Sequence, residues 1–114
     1  GTTEYINHGV GMGKEATLHI LKQGVHIVGI DAWSWDAPFS ITAKKWKKTV
    51  RAKDPDTSLI WEGHFAGREI GYFQMEKMYN LDKVPPTGAT IYCFPVNIAR
   101  ASAAWVRPVA TFSE

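Results

Sequence analysis

His64 and Glu76 are the two side chains best suited to chemistry in this chain of 114 residues. They bound the stretch "HFAGREIGYFQME", which is otherwise rich in Phe, Tyr, Ile and Met. A carboxylate set among apolar residues is costly to bury without a cation, a metal or a proton. Imidazole nitrogen and carboxylate oxygen are standard ligands for zinc and manganese. Two ligands do not complete a zinc site, which needs three or four. The other histidines, His8, His19 and His26, show no short ligand spacing and read as surface or helix-face residues. The ordinary alternative is a satisfied core histidine and a surface glutamate.

Two further segments carry a chemical signal. "GMGKEA", Gly11 to Ala16, matches G-x-G-x-x-A, and Asp31 follows Gly11 by twenty residues. That is the spacing of a dinucleotide-binding unit, with phosphate at the helix start and the acid on ribose. Such a unit needs a buried strand before the glycines, and "TTEYINHGV" is too polar and short for one. The later strands also lack crossover helices between them in this reading. The segment is therefore read as a glycine-bearing loop that feeds a helix. A phosphate loop fails outright, because Lys14 is followed by Glu15 rather than Ser or Thr. The second segment, "KKWKK", is basic with a central aromatic. The net charge is only +2, so it reads as a solvated face with Trp46 turned inward.

The elements that must position these residues follow from pattern. "KEATLHILKQG" reads as a helix with Leu18 and Leu21 in its apolar stripe and Gly24 as its left-handed stop. "VHIVGID" reads as a strand buried on both faces. "AWSWDAPFS" is an aromatic loop, and "ITAKKWKKTVRAK" is a short helix or a basic loop. "HFAGREIG" is helical to about Gly71, which lets the chain turn into the strand "YFQMEKM". "NLDKVPPTG" is a turn, and "ATIYCFPVNI" and "AAWVRPVATF" are strands interrupted at Pro95 and Pro108. The fold class is α/β, a mixed β-sheet with flanking helices in a single domain spanning 1–114.

Composition excludes other classes. Hydrophobic residues are 45% and charged residues 21%, an ordinary globular balance. No apolar run reaches the roughly 18 residues of a membrane span. Cys93 stands alone, which is compatible with a reducing, cytoplasmic setting. Neither nucleic acid nor membrane is an expected partner.

Taken together, "LKQGVHIVGIDAWSWDAPF", "SLIWEGHFAGREIGYFQMEKMYNLDKVPPTGATIYCFPVNI" and "ASAAWVRPVA" resemble the C-terminal half of the cyclase superfamily of metal-dependent hydrolases. This is the group of kynurenine formamidase and isatin hydrolase. The resemblance covers residues 9–112. It implies a swivelling β/β/α fold and hydrolysis of an amide, cyclic amide or related ester by a metal-activated water. It makes Glu76 a metal ligand and His64 a ligand or proton shuttle. It places Asp31, Trp33, Ser34 and Asp36 in a loop beside the active site; Asp31 has a structural alternative. Trp35 and Phe39 extend that loop into an aromatic substrate pocket or a face for a partner. The hallmark H-x-G-T-H-x-D-x-P motif, which supplies most ligands for the zinc or manganese cofactor, is absent. With Gly1 in place of Met, the expectation is the C-terminal portion of a longer or two-chain enzyme. Its partner is the N-terminal half that carries the motif, and a homo-oligomer is expected. The alternative function is a non-catalytic binding or assembly subunit, with a dinucleotide-binding module further behind.

Overall fold

The computed structural model describes residues 2–49 and 57–113 and is mixed α/β, with short helices and two small sheets. The chain divides into two compact units, Gly1–Met78 and Tyr79–Glu114.

The first unit starts with helix α1 (Glu4–Asn7), in a segment whose polar, glycine-rich sequence predicts no helix. Helix α2 (Lys14–Lys22) follows and stops as its sequence dictates: Gly24 takes φ +87° and its N–H reaches the Leu21 carbonyl at 3.0 Å. Strand β1 (Ile27–Gly29) leads to the 31–38 loop. Helix α3 (Phe39–Thr49) resolves the choice between helix and basic loop in favour of helix, with Lys44, Lys45, Lys47 and Lys48 exposed and Trp46 half-buried. The predicted continuation through Val50, Arg51, Ala52 and Lys53, and the turn at 54–56, lie outside the described residues. A 3₁₀ turn (Thr57–Ile60) and helix α4 (Glu62–Ala66) precede strand β2 (Phe73–Met75).

Strands β1 and β2 pair in parallel, Ile27 with Phe73, Val28 with Gln74 and Gly29 with Met75. Helices α3 and α4 lie between them in sequence. The helix expected in "HFAGREIG" is one of the two, and the basic segment supplies the other; between β2, β3 and β4 the described residues hold only a 3₁₀ turn. The dinucleotide fingerprint still lacks its leading strand, because α1 stands where that strand belongs. The expected burial of β1 changes. β1 is not buried on both faces, since Ile27 and Gly29 are exposed and Val28 is only half-buried. Its apolar run suits a wider covered sheet, and two strands supply none of that cover.

The core of this unit is small. Helix α2 packs on α4, and Leu21, Trp35, Ala66 and Thr17 are almost fully buried. Gly63 on α4 leaves room for the chain ahead of α2 and for Trp35: a Cβ there would lie 2.5 Å from the Met12 carbonyl oxygen and 2.8 Å from the Trp35 ring.

The second unit holds a 3₁₀ turn (Leu81–Lys83) and strands β3 (Thr90–Tyr92) and β4 (Val109–Thr111). The strands are antiparallel, with Ile91 opposite Ala110. Among the described residues of this unit none is buried.

Candidate functional site

The site is built by the β1–β2 pairing. Hydrogen bonding continues past the strands: the Ile30 N–H reaches the Met75 carbonyl, the Met78 N–H that of Ile30 and the Lys77 N–H that of Ala32, each at 3.0 Å. The loop that follows β1 is thereby laid along the end of β2, and Ser34, Trp35 and Asp36 come beside Glu76 and α4.

Asp36 organises the cluster. It is 3% exposed. Helix α4 has Trp61 at its N-cap, a residue with no acceptor for the helix's first N–H groups. Asp36 takes that place from the loop. Its Oδ1 accepts from the Gly63 N–H at 2.7 Å and its Oδ2 from the His64 N–H at 3.0 Å. The same Oδ2 accepts from His64 Nδ1 at 2.5 Å. One buried carboxylate therefore caps the helix and fixes the ring carried on its first turn. The hydrogen bond to Asp36 raises the His64 pKa above its ordinary 6.5, partial burial opposes this, and the charges of Asp36 and Glu76 add to it.

With Nδ1 committed to Asp36, His64 turns Nε2 toward Glu76 Oε1, 3.7 Å away. Glu76 is held from several sides. Its Oε1 accepts from the Trp35 N–H at 2.8 Å and from the Ser34 hydroxyl at 3.2 Å, and Lys77 Nζ lies 3.3 Å from Oε2. Trp61 stands edge-on to the His64 ring at 5.1 Å, and Phe39 contacts Trp61 at 6.5 Å.

Two residues that the sequence reading did not single out complete the cluster. Gln74 Nε2 lies 2.5 Å from His64 Nε2 and 3.3 Å from Glu76 Oε1. The Tyr72 hydroxyl lies 2.9 Å from Gln74 Oε1 and 2.8 Å from the Gly63 carbonyl, and its single proton serves one of the two at a time. Burial first, then the charges of Asp36 and Glu76, pushes the Tyr72 pKa up to about 12. Tyr72, Gln74 and Glu76 are two residues apart along extended chain, so they share one side. That alternation was the available signal.

The remaining predicted residues divide. Trp35 is buried: its indole N–H donates to the Thr17 hydroxyl at 3.0 Å, and that hydroxyl donates to the Gly13 carbonyl at 2.9 Å. Its side chain is core, and only its backbone serves Glu76. Trp33 is 43% exposed, stands edge-on to Tyr5 at 6.2 Å and has Lys77 over its ring at 4.6 Å. Asp31 is exposed and meets Tyr5 through its backbone carbonyl, which accepts from the tyrosine hydroxyl. Neither Trp33 nor Asp31 contacts His64 or Asp36 among the interactions described. Gly71 does not end the helix: α4 stops at Ala66, and a turn over 67–70 joins it to β2.

A test of metal fit follows from the donor set. A histidine that binds metal generally donates its second ring N–H to a carboxylate or carbonyl, which fixes the tautomer. His64 meets that condition through Asp36, and its remaining nitrogen converges with a carboxylate oxygen. Two converging groups fall short of the three or four ligands that a zinc site needs. Among the described residues no group of three or more His, Cys, Asp or Glu is arranged to hold a metal ion, so further ligands would come from elsewhere.

No family model, no curated protein and no solved structure matches the chain. Among the described residues no helix is long and apolar enough to cross a membrane.

Proposed function

We propose that this chain contributes His64 and Glu76 to the divalent-metal centre of a hydrolase of the cyclase-superfamily type, acting on an amide, cyclic amide or related ester. The observation that carries the reading is the Asp36–His64–Glu76 line: a buried carboxylate on one ring nitrogen and an acidic oxygen 3.7 Å from the other. The remaining ligands, in this reading, belong to a segment carrying H-x-G-T-H-x-D. The uncovered β1–β2 ribbon supports such a partner, because parallel strands are ordinarily covered on both faces.

When bound, zinc or manganese polarises a carbonyl and acidifies water. The chain's own residues do the rest. Asp36 keeps the proton on Nδ1, so the Nε2 lone pair faces the site. The Trp35 N–H and the Ser34 hydroxyl hold Glu76 in place. Phe39 and Trp61 give the approach to His64 an aromatic wall suited to a cyclic or aromatic substrate.

The test is metal content of the natively purified protein by elemental analysis, wild type against Glu76→Gln. Zinc or manganese is expected in the wild type, with a loss of at least about tenfold in the variant, the scale seen when a metal's supporting groups are removed. Equal metal in both proteins would remove Glu76 from the site. Absence of both metals from the wild type would leave a non-catalytic binding or assembly role for the same fold.

A further inference from the structure

We infer that the groove formed by α1, the 9–11 loop and Asp31 is a binding site for a ribose phosphate of the nucleoside monophosphate kind. Neither His64 nor Glu76 lines it, and it stands whether or not those two residues hold a metal.

In the sequence Asp31 follows Gly11 by twenty residues. The fold brings them together. Tyr5, His8, Gly9, Val10, Gly11 and Asp31 line one groove of about 440 Å³, above the roughly 300 Å³ at which pockets begin to hold drug-sized ligands. Its lining offers both signs of hydrogen bonding. Among the described residues, the N–H groups of Gly9, Val10 and Gly11 donate to no protein acceptor. The two glycines carry no side chain to cover them. Gly11 is held at φ +63°, with the Ala37 backbone nitrogen 1.9 Å from where its Cβ would lie. Successive open N–H groups beside a left-handed residue favour an anion. Asp31 supplies the opposite character. Its backbone carbonyl accepts from the Tyr5 hydroxyl, while its exposed carboxylate has no partner among the described residues.

A groove with both features selects a ligand that carries an anion and hydroxyl donors at separate places. A bare anion would meet the Asp31 charge. A ribose phosphate keeps the two apart: its phosphate takes the loop N–H groups and the His8 imidazole, and its vicinal hydroxyls donate to the Asp31 carboxylate, the pairing that acids make with ribose elsewhere. Tyr5, 40% exposed, offers an aromatic surface to the base. This is not the dinucleotide-binding unit. Its leading strand is missing, and the start of α2 at Gly13 and Lys14 opens on a different groove. The phosphate therefore belongs to the loop and not to the helix.

The experiment titrates adenosine 5′-monophosphate into the ¹⁵N-labelled 114-residue chain and follows the backbone amide resonances. Those of Gly9, Val10 and Gly11 should shift and saturate, while those of Gly63 and His64 stay in place. Adenosine, which lacks the phosphate, and the 2′,3′-dideoxy monophosphate, which lacks the hydroxyls, should each bind at least about tenfold more weakly. Asp31→Ala should weaken the monophosphate about tenfold and leave the dideoxy compound unchanged, because the hydroxyls that Asp31 would meet are already gone. No shift of the loop amides at millimolar monophosphate would overturn the site. Inorganic phosphate binding as tightly as the monophosphate would reduce the groove to an anion contact and overturn the ribose assignment. Equal binding of the monophosphate by wild type and Asp31→Ala would do the same. Should Asp31→Ala fail to fold, the dideoxy comparison on wild type decides alone.

Discussion

The two units of this chain solve burial in opposite ways. In Gly1–Met78 the best-buried groups include polar ones, Thr17, Asp36 and Thr42, alongside Leu21, Trp35 and Ala66. In Tyr79–Glu114 large apolar rings lie open: Tyr79 is 88%, Phe94 82% and Trp105 81% exposed. Hydrogen bonds substitute for a large core in the first unit: Thr17, Asp36 and Thr42 each have a specific partner, while the buried Trp46 indole nitrogen has none among the described residues. The second unit has apolar residues in number but does not bury them. Directed polar contacts can position a site within few residues, whereas apolar surface waits for area to cover it.

The sharpest way to break this comparison is Asp36→Ala. It strips the cap from two helix N–H groups and the partner from His64, and should cost about 2–4 kcal/mol in urea unfolding. A cost below about 1 kcal/mol would mean that the carboxylate does not organise the unit. Next comes Trp35→Phe, which puts a smaller aromatic ring in its place and deletes the indole N–H to Thr17. About 1 kcal/mol is expected by the same measurement. The Thr17 hydroxyl keeps its bond to Gly13, so a larger loss would point to repacking of the ring instead.

Smaller still is the pH dependence. His64 binds its proton more tightly in the folded chain than in the unfolded one, where the ordinary value is 6.5. The stability it contributes is fully present below that value and fades as pH rises through the raised folded value. The ring is 36% exposed, so solvent screens the effect. Metal-free wild type should lose stability, relative to His64→Gln, between slightly acid and alkaline pH. An identical pH profile in the two proteins would contradict the pairing with Asp36. Tyr72 works from the other end: folded ionisation is delayed to about 12 against an ordinary 10.0, so the unfolded chain gives up this proton first and stability falls over that interval. Tyr72→Phe should lack that fall. The smallest effect belongs to the second unit. Phe94→Ser or Trp105→Ser should change stability by no more than about 0.5 kcal/mol, as exposed positions do. A loss above about 1 kcal/mol in either would show that these rings are covered in solution.

Local signals were the legible part of the sequence. The helix from Lys14 with its stop at Gly24, strand β2, the turn at Leu81–Lys83 and the existence of strands β3 and β4, though not their pairing, all rest on nearby residues. What was not legible depends on distant partners. Helix α4 needs an acceptor from Asp36, 28 residues away for His64, and no spacing rule announces it. The β1–β2 ribbon is open because burial of an apolar run is decided by what lies across from it. Within the site, His64 and Glu76 stood out by residue type. Gln74 and Tyr72 did not, since an amide and a phenol in an alternating strand look like ordinary surface and core residues.

The parallel ribbon also dictates when the cluster can exist. Trp35 meets Glu76 across 41 residues of chain, and that contact depends on two strands that no hairpin joins. Closing such a loop costs entropy before any bond repays it, so topologies dominated by distant pairings fold slowly. Helix α2 can form early on its own turns, while His64 gains its orienting carboxylate only after the long closure. No local element can orient the imidazole by itself, so the chemistry of the cluster depends on contacts between distant parts of the chain.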